Sequence, residues 1–519
     1  MKLRRYATLA FLAGLLFLSL PAAAQMPDLD WVDEYVEQGM DDWDIPGLAV
    51  AVVHDDEIVF AEGYGVRELG EPEPVDAHTL FGVASTTKAM TATSLAMLVD
   101  EGELHWDDPV IDHMPTFRLS DPWVTRHVTP RDLLTHQVGV GRMTGNRLRF
   151  LPDRDRSEVL EQMRYHEFEE PFRQDYVYSN VMYSAAGELI PAITDRSWDA
   201  FMMEELFEPL GMDRSNTSIT MFDDDENVAW PHQEIEGDVQ PIPQRNFDNV
   251  GPSASVNTSV HEMAQWMRLQ LGTPGVYEGE RLVSEEQMRE THHPQNVLQV
   301  SDPHEEMAAY GLGWRIGEHR GVRTLEHGGA TDGMNTQLTL MPTEDVGVVV
   351  VTNTFNWFRM ALANEILDAF IDASDTDWHA QYLDSYEQQY EAAMERREAI
   401  EAQRQEGTST TLDLSAYTGT YTDDLYLNAE VYQTDDGDLA VEFWDNEAMT
   451  IDLEHWHHDT FRGHWRNPAM REKFVWFDMD DSGEVATLNV RWTLRPVLLQ
   501  VGAYPTDYYR VVEFERADD

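Results

Sequence analysis

The strongest constraint on the fold is a set of apolar strand runs lying at the two ends of a long helical stretch. Leu48-Ala49-Val50-Ala51-Val52-Val53 contains no polar residue and reads as a buried strand. Asp55-Asp56 turns it, and Ile58-Val59-Phe60-Ala61 continues as a second strand, which makes a hairpin. Far down the chain, Thr336 to Met341 and Val346 to Asn353 read as two more strands joined by Pro342-Thr343-Glu344-Asp345. The pattern between the two pairs is helical. Thr87 to Asp100 carries Met90, Leu95, Leu98 and Val99 at helical spacing, with Gly102 placed to stop it. Thr129-Pro130-Arg131-Asp132 spells a helix start, with Thr as N-cap, Pro at the first position and Asp in the first turn. Ahead of the hairpin, Asp30 to Asp42 reads as an acidic amphipathic helix with Trp31, Val32, Tyr35, Val36 and Met40 along one side. These elements predict one α+β domain whose sheet combines both ends of that chain segment.

The ends of the chain are different. Lys2, Arg4 and Arg5 precede the apolar run Ala7 to Leu20, and Pro21-Ala22-Ala23-Ala24 supplies small residues for a signal peptidase. The expectation is a signal peptide cleaved after Ala24, the run being short for an anchor. Arg4-Arg5 leaves twin-arginine export open beside the general route. Near residue 378 the composition shifts: Tyr382 to Gln405 is charged, free of Gly and Pro, and helical in propensity, and Gly407 to Thr411 breaks it. From Leu412 onward, short alternating strands are punctuated by Asp435-Asp436-Gly437 and Asp481-Ser482-Gly483 turns. The expected organisation is therefore a signal peptide at 1–24, a main domain at 25–377, a helical linker at 378–411 and an all-β domain at 412–519. No later stretch is long and apolar enough to span a bilayer. The mature chain is expected to be exported, periplasmic or secreted, with no stable membrane insertion.

Charge narrows the partners. Lys and Arg number 36 against 96 Asp and Glu, a formal charge of −60. The acid is spread along a chain that also holds 15 Trp, 19 Tyr and 20 Phe, so acidic disorder is excluded. A folded surface coated with carboxylates suits molar salt, where screening cuts repulsion to a range of about 3 Å. Nucleic acid and anionic membrane surfaces are repelled. The absence of cysteine removes disulfides, thiolate metal sites and cysteine nucleophiles.

Three short motifs carry chemistry. Ser85-Thr86-Thr87-Lys88 stands at the start of a helix, which puts Ser85 and Lys88 on one face, one turn apart. The helix N-terminus favours a developing alkoxide and oxyanion, and a lysine desolvated enough to be neutral can take the serine proton. By itself the pattern also fits a serine N-cap. Tyr178-Ser179-Asn180 offers a phenol that can shuttle a proton and an amide that can hold a substrate carbonyl. By itself it also fits a core tyrosine beside a turn. His327-Gly328-Gly329-Ala330, immediately before the Thr336 strand, lets a backbone edge approach a ligand.

Taken in order, S-x-x-K, Y-x-N and H-x-G resemble the serine hydrolases related to class C β-lactamases, D-Ala-D-Ala carboxypeptidases and certain esterases. Phe81 to Ala84, Leu104 to Val110, Thr129 to Gly139, Gly251 to Met267 and Tyr310-Gly311-Leu312-Gly313-Trp314 look like landmarks of the same group. The resemblance implies a penicillin-binding-protein-like mixed sheet flanked by helices, with an inserted helical lobe and the site between them. It implies Ser85 as acylated nucleophile, Lys88 as its base and Tyr178 as acid/base for leaving group and water. Asn180, His327, Gly328 and Gly329 would bind substrate, and the N–H groups of Ser85 and Ala330 would form the oxyanion hole. The C-terminal module resembles the lipocalin-like β domain appended to such hydrolases, with Tyr417-Thr418-Gly419-Thr420-Tyr421 as its opening strand.

The third motif departs from the K-T-G or K-S-G of the β-lactamases. Its hydroxyl is missing and its charge is conditional, because histidine is mostly neutral above about pH 6.5. That favours an ester or amide substrate, a small molecule or peptide, without the penicillin or D-Ala-D-Ala carboxylate. β-Lactamase or carboxypeptidase activity is the rival, and a non-catalytic sensor that acylates once is a third reading. Gln137-Val138-Gly139, after Thr135-His136, is a second departure. His455, His457, His458 and His464 cluster near Glu454 and Asp459, but their spacing matches no zinc pattern and suits strand faces better. No metal and no cofactor is expected.

Overall fold

The computed structural model describes residues 26–141, 154–222, 227–235, 237–300, 307–373, 375–467, 470, 472–491 and 511–517. The signal peptide expected at 1–24 lies outside the described residues. Helix α1 (Val32–Asp42) leads into the hairpin β1 (Gly47–His54) and β2 (Glu57–Gly65). After a helical region come β3 (Asn296–Val297), β4 (Ala309–Tyr310), β5 (Arg315–His319), β6 (Val322–Thr331), β7 (Met334–Met341) and β8 (Val346–Thr352).

These strands form one sheet in the order β2-β1-β8-β7-β6-β5-β4-β3. β1 pairs with β8, Val50 opposite Val350, so the sheet joins both ends of the domain. The fold is the expected α+β arrangement, with a correction to the sheet itself. It was expected to be mixed, but every pairing along it is antiparallel. Strands joined by short turns, such as β6 and β7, must reverse direction, and β1, which meets β8 across the length of the domain, also lies antiparallel to it.

Alternation along β1 sorts its side chains between two helical layers. Leu48, Val50 and Val52 face the layer of α1 and α5 (Phe358–Phe370), packing with Val36, Phe358 and Leu362. Ala49, Ala51 and Val53 face the opposite layer, built on α2 (Thr87–Asp100), α3 (Asn180–Thr194) and α4 (Val260–Gln270). Helix α2 is buried on all sides from Thr87 to Leu98, the central-helix pattern. The helix start at Thr129 is a full capping box with Asp132.

Helix α6 (Trp378–Glu401) begins four residues before the charged run and does not stand free as a spacer. Its first half lies on the main domain, where the Trp378 indole donates to Asp368 at 2.7 Å and Tyr386 packs against Trp43 and Trp357. Its last turn pairs Glu401 with Arg462 of the C-terminal module at 2.7 Å. That module is a closed barrel of eight strands running from Gly419–Asp423 to Val511–Arg516. An eight-stranded barrel is just wide enough to be filled by its own side chains. Tyr421, Phe443, Phe461, Phe477 and Phe514 are buried there. His455 turns its Nε2 to the His458 carbonyl, and His464 lies 3.6 Å from Glu454 and 3.8 Å from Glu472.

Candidate active site

The chain enters α2 through a single 3-10 turn, Ala84–Thr86, that carries Ser85. Ala84 adopts φ +51°, in the left-handed region that side chains disfavour, so the turn is bent sharply where the serine projects. One turn on, Lys88 is fully buried. Its Nζ donates to Ser85 Oγ at 3.1 Å and to the Ser253 carbonyl at 2.8 Å. Tyr178, just ahead of α3, donates its phenol to the same Ser85 Oγ at 2.9 Å, and its ring centroid lies 4.8 Å from Lys88 Nζ. Asn180 opens α3, and its buried Oδ1 has no hydrogen-bond partner among the described residues.

The third motif arrives on β6. A side chain at Gly329 would place its Cβ 2.2 Å from the Val83 carbonyl, so the strand can run against the Ser85 turn only with glycine there. That approach brings Ala330, the next residue, alongside the nucleophile's turn. Gly328 has room by contrast, with the nearest atom 3.8 Å from where an added Cβ would sit. His327 is nearly buried, its Nδ1 2.8 Å from the Gly328 carbonyl and its Nε2 3.0 Å from the Tyr310 hydroxyl. The three sequence motifs thus converge: Ser85, Lys88 and Tyr178 touch directly, and His327 to Ala330 form an adjoining strand.

Four contributors carry too little sequence signal to be assigned a role in advance. Ser253 acts through its backbone carbonyl, which any residue possesses. His136 accepts the Ser179 N–H at Nδ1 (3.0 Å), and its ring packs against Tyr178 (4.3 Å between centroids) and Tyr310 (4.9 Å). Tyr310 and Tyr183 complete this aromatic wall, and burial pushes both phenols well above their ordinary value, so both stay neutral. His136 and Tyr310 stood within family landmarks, but only folding shows what they touch.

A sheet between helical layers, with a serine, a buried lysine and a tyrosine in mutual contact below a strand edge, defines a serine hydrolase of the β-lactamase type. The sequence matches the family described as Beta-lactamase over residues 32–373, and a domain of unknown function, DUF3471, over residues 403–501. This chain belongs to the beta-lactamase family. Among its relatives is an unguisins hydrolase from Aspergillus campestris, 29% identical over 414 residues, which covers 75% of this chain and 74% of the relative. Protein flp from Staphylococcus aureus is 22% identical over 366 residues, 69% of this chain and 70% of that one. The octameric penicillin-binding protein homologue from Pyrococcus abyssi shares the fold with a TM-score of 0.59 at 20% identity, covering 89% of this chain and 98% of its own.

Proposed function

We propose that this protein is an exported hydrolase that cleaves an ester or amide bond through a covalent acyl-Ser85 intermediate. The observation that carries the reading is the pair of contacts to Ser85 Oγ, from Lys88 Nζ at 3.1 Å and the Tyr178 hydroxyl at 2.9 Å. Lys88, as the neutral amine, takes the Ser85 proton while Oγ bonds to the substrate carbonyl carbon. The N–H groups of Ser85 and Ala330 stabilise the oxyanion, and Asn180 orients the substrate amide or carbonyl. Tyr178 hands its proton to the departing alcohol or amine, and the C–O or C–N bond breaks. Water then attacks the acyl ester and gives its proton to Tyr178, while Lys88 returns its proton to Ser85 Oγ as the acid leaves, which restores all three groups.

The contacts of His327 favour a substrate without the carboxylate that β-lactams and D-Ala-D-Ala peptides present. Both ring nitrogens are engaged within the protein, and Gly328 offers no hydroxyl. The kinship with an unguisins hydrolase supports a small-molecule or peptide substrate. The test is hydrolysis of a short-chain p-nitrophenyl ester at low and molar salt, by wild type and by Ser85→Ala. Turnover that falls to background in the mutant is expected. Folded wild type that releases one equivalent and stops would instead establish the sensor reading.

A further inference from the structure

A cavity lies past the end of β6. Its walls include the turn Thr331 to Met334 and residues between Gln244 and Asn257, with Gly82 on the side of the nucleophile. Its lining adjoins the site along the chain: Ala254 follows Ser253, Thr331 follows Ala330, and Gly82 precedes Val83. Ile219, Phe222, Phe247 and Met334 make much of it apolar.

Arg245 is the one cation among the described lining residues, and it is already paired. Its Nε lies 2.8 Å from Asp332 Oδ2, with the two side chains only 15% and 21% exposed. Asp248 adds a second carboxylate to the lining. An incoming anion therefore meets an Arg245–Asp332 pair that is neutral as a whole, together with the carboxylate of Asp248, and burying the anion without a partner is costly.

Which half of the substrate faces this cavity follows from the reading of Tyr178 given above, on which the inference rests. The ring neighbours of Tyr178, His136 and Tyr310, gather at the His327 end of β6, whereas the cavity lies at the Thr331 end. A leaving group protonated by Tyr178 occupies the first end, and the acyl group extends toward the second.

We propose that this cavity is the acyl subsite, that it takes uncharged apolar acyl groups, and that Asp332 sets this preference by neutralising Arg245. The probes are p-nitrophenyl hexanoate and mono-p-nitrophenyl adipate, acyl chains of equal length that differ in a terminal carboxylate. Wild type should favour hexanoate in kcat/KM by about tenfold or more, the scale expected of like-charge juxtaposition. The preference should persist in molar salt, which screens the distant surface carboxylates but not a buried one. Asp332→Asn releases Arg245 and should bring the ratio close to one. Equal wild-type rates in molar salt, or an unchanged ratio in a folded Asp332→Asn, would overturn the proposal. If that variant does not fold, the wild-type ratio in molar salt decides by itself. Failure of both esters to turn over, or full activity in Ser85→Ala, would remove the acyl-Ser85 reading instead.

Discussion

Gly328 and Gly329 are neighbours in one strand, yet a side chain would meet very different surroundings at each. At Gly329 a methyl collides with the Val83 carbonyl at 2.2 Å; at Gly328 it meets nothing closer than 3.8 Å. Gly329→Ala should therefore lose about 1–3 kcal/mol through forced backbone displacement, and Gly328→Ala should melt within a degree or so of wild type. Thermal unfolding of the two variants checks this, and equal melting temperatures would mean that β6 does not press on the Ser85 turn. Tyr178→Phe keeps the ring against His136 and removes only the hydroxyl on Ser85. On the proposed mechanism it should lower kcat by about 10²–10⁴ with little change in KM. The residue types at this site were legible in order along the chain, because nucleophile, base and acid each demand particular functional groups. The partners that hold them were not: a carbonyl such as that of Ser253 has no sequence signature, and His136 owes its contact with Tyr178 to tertiary packing.

Single buried polar groups fasten the elements together. Asp368 on α5 accepts from His319 at 2.6 Å, from Arg320 at 2.7 and 2.8 Å, and from the Trp378 indole at 2.7 Å. It thereby ties β5, the turn after it and α6 to one carboxylate. Burial raises the proton affinity of that group, but the hydrogen bonds from His319, Arg320 and Trp378 outweigh burial and hold it below the usual carboxylate range. A depressed folded value means stability that is present above about pH 4 and lost as pH falls through the folded value. Asp368→Ala should cost about 3 kcal/mol in urea unfolding near neutral pH, and the difference from wild type should shrink in strong acid. His292 titrates in a different window. Burial, and secondarily the charge of Arg323, lower it from 6.5 to about 3 while its Nε2 lies 2.9 Å from Gln270 Oε1. The unfolded chain binds that proton first, so stability is complete above pH 6.5 and declines on acidification. His292→Gln should make the fall in unfolding free energy between about pH 6.5 and 5 shallower by nearly one proton.

At the scale of the whole molecule, a charge of −60 dominates. Mutual repulsion of surface carboxylates destabilises the compact state, and salt relieves it. We therefore propose a protein adapted to molar salt, whose melting temperature and p-nitrophenyl ester turnover both rise from low to molar sodium chloride. A flat response of both would remove that reading. Local sequence specified the apolar strand runs, the helix starts at Thr87 and Thr129, and the barrel's turns at Asp435 to Gly437 and Asp481 to Gly483. It also determined the order of the three motifs. Each of these is written in local period, capping or turn chemistry within a few residues. Tertiary packing alone sets β1 beside β8, lays α6 on the main domain and pairs Arg245 with Asp332. Those outcomes depend on which surfaces meet across long stretches of chain, and no local pattern encodes that meeting.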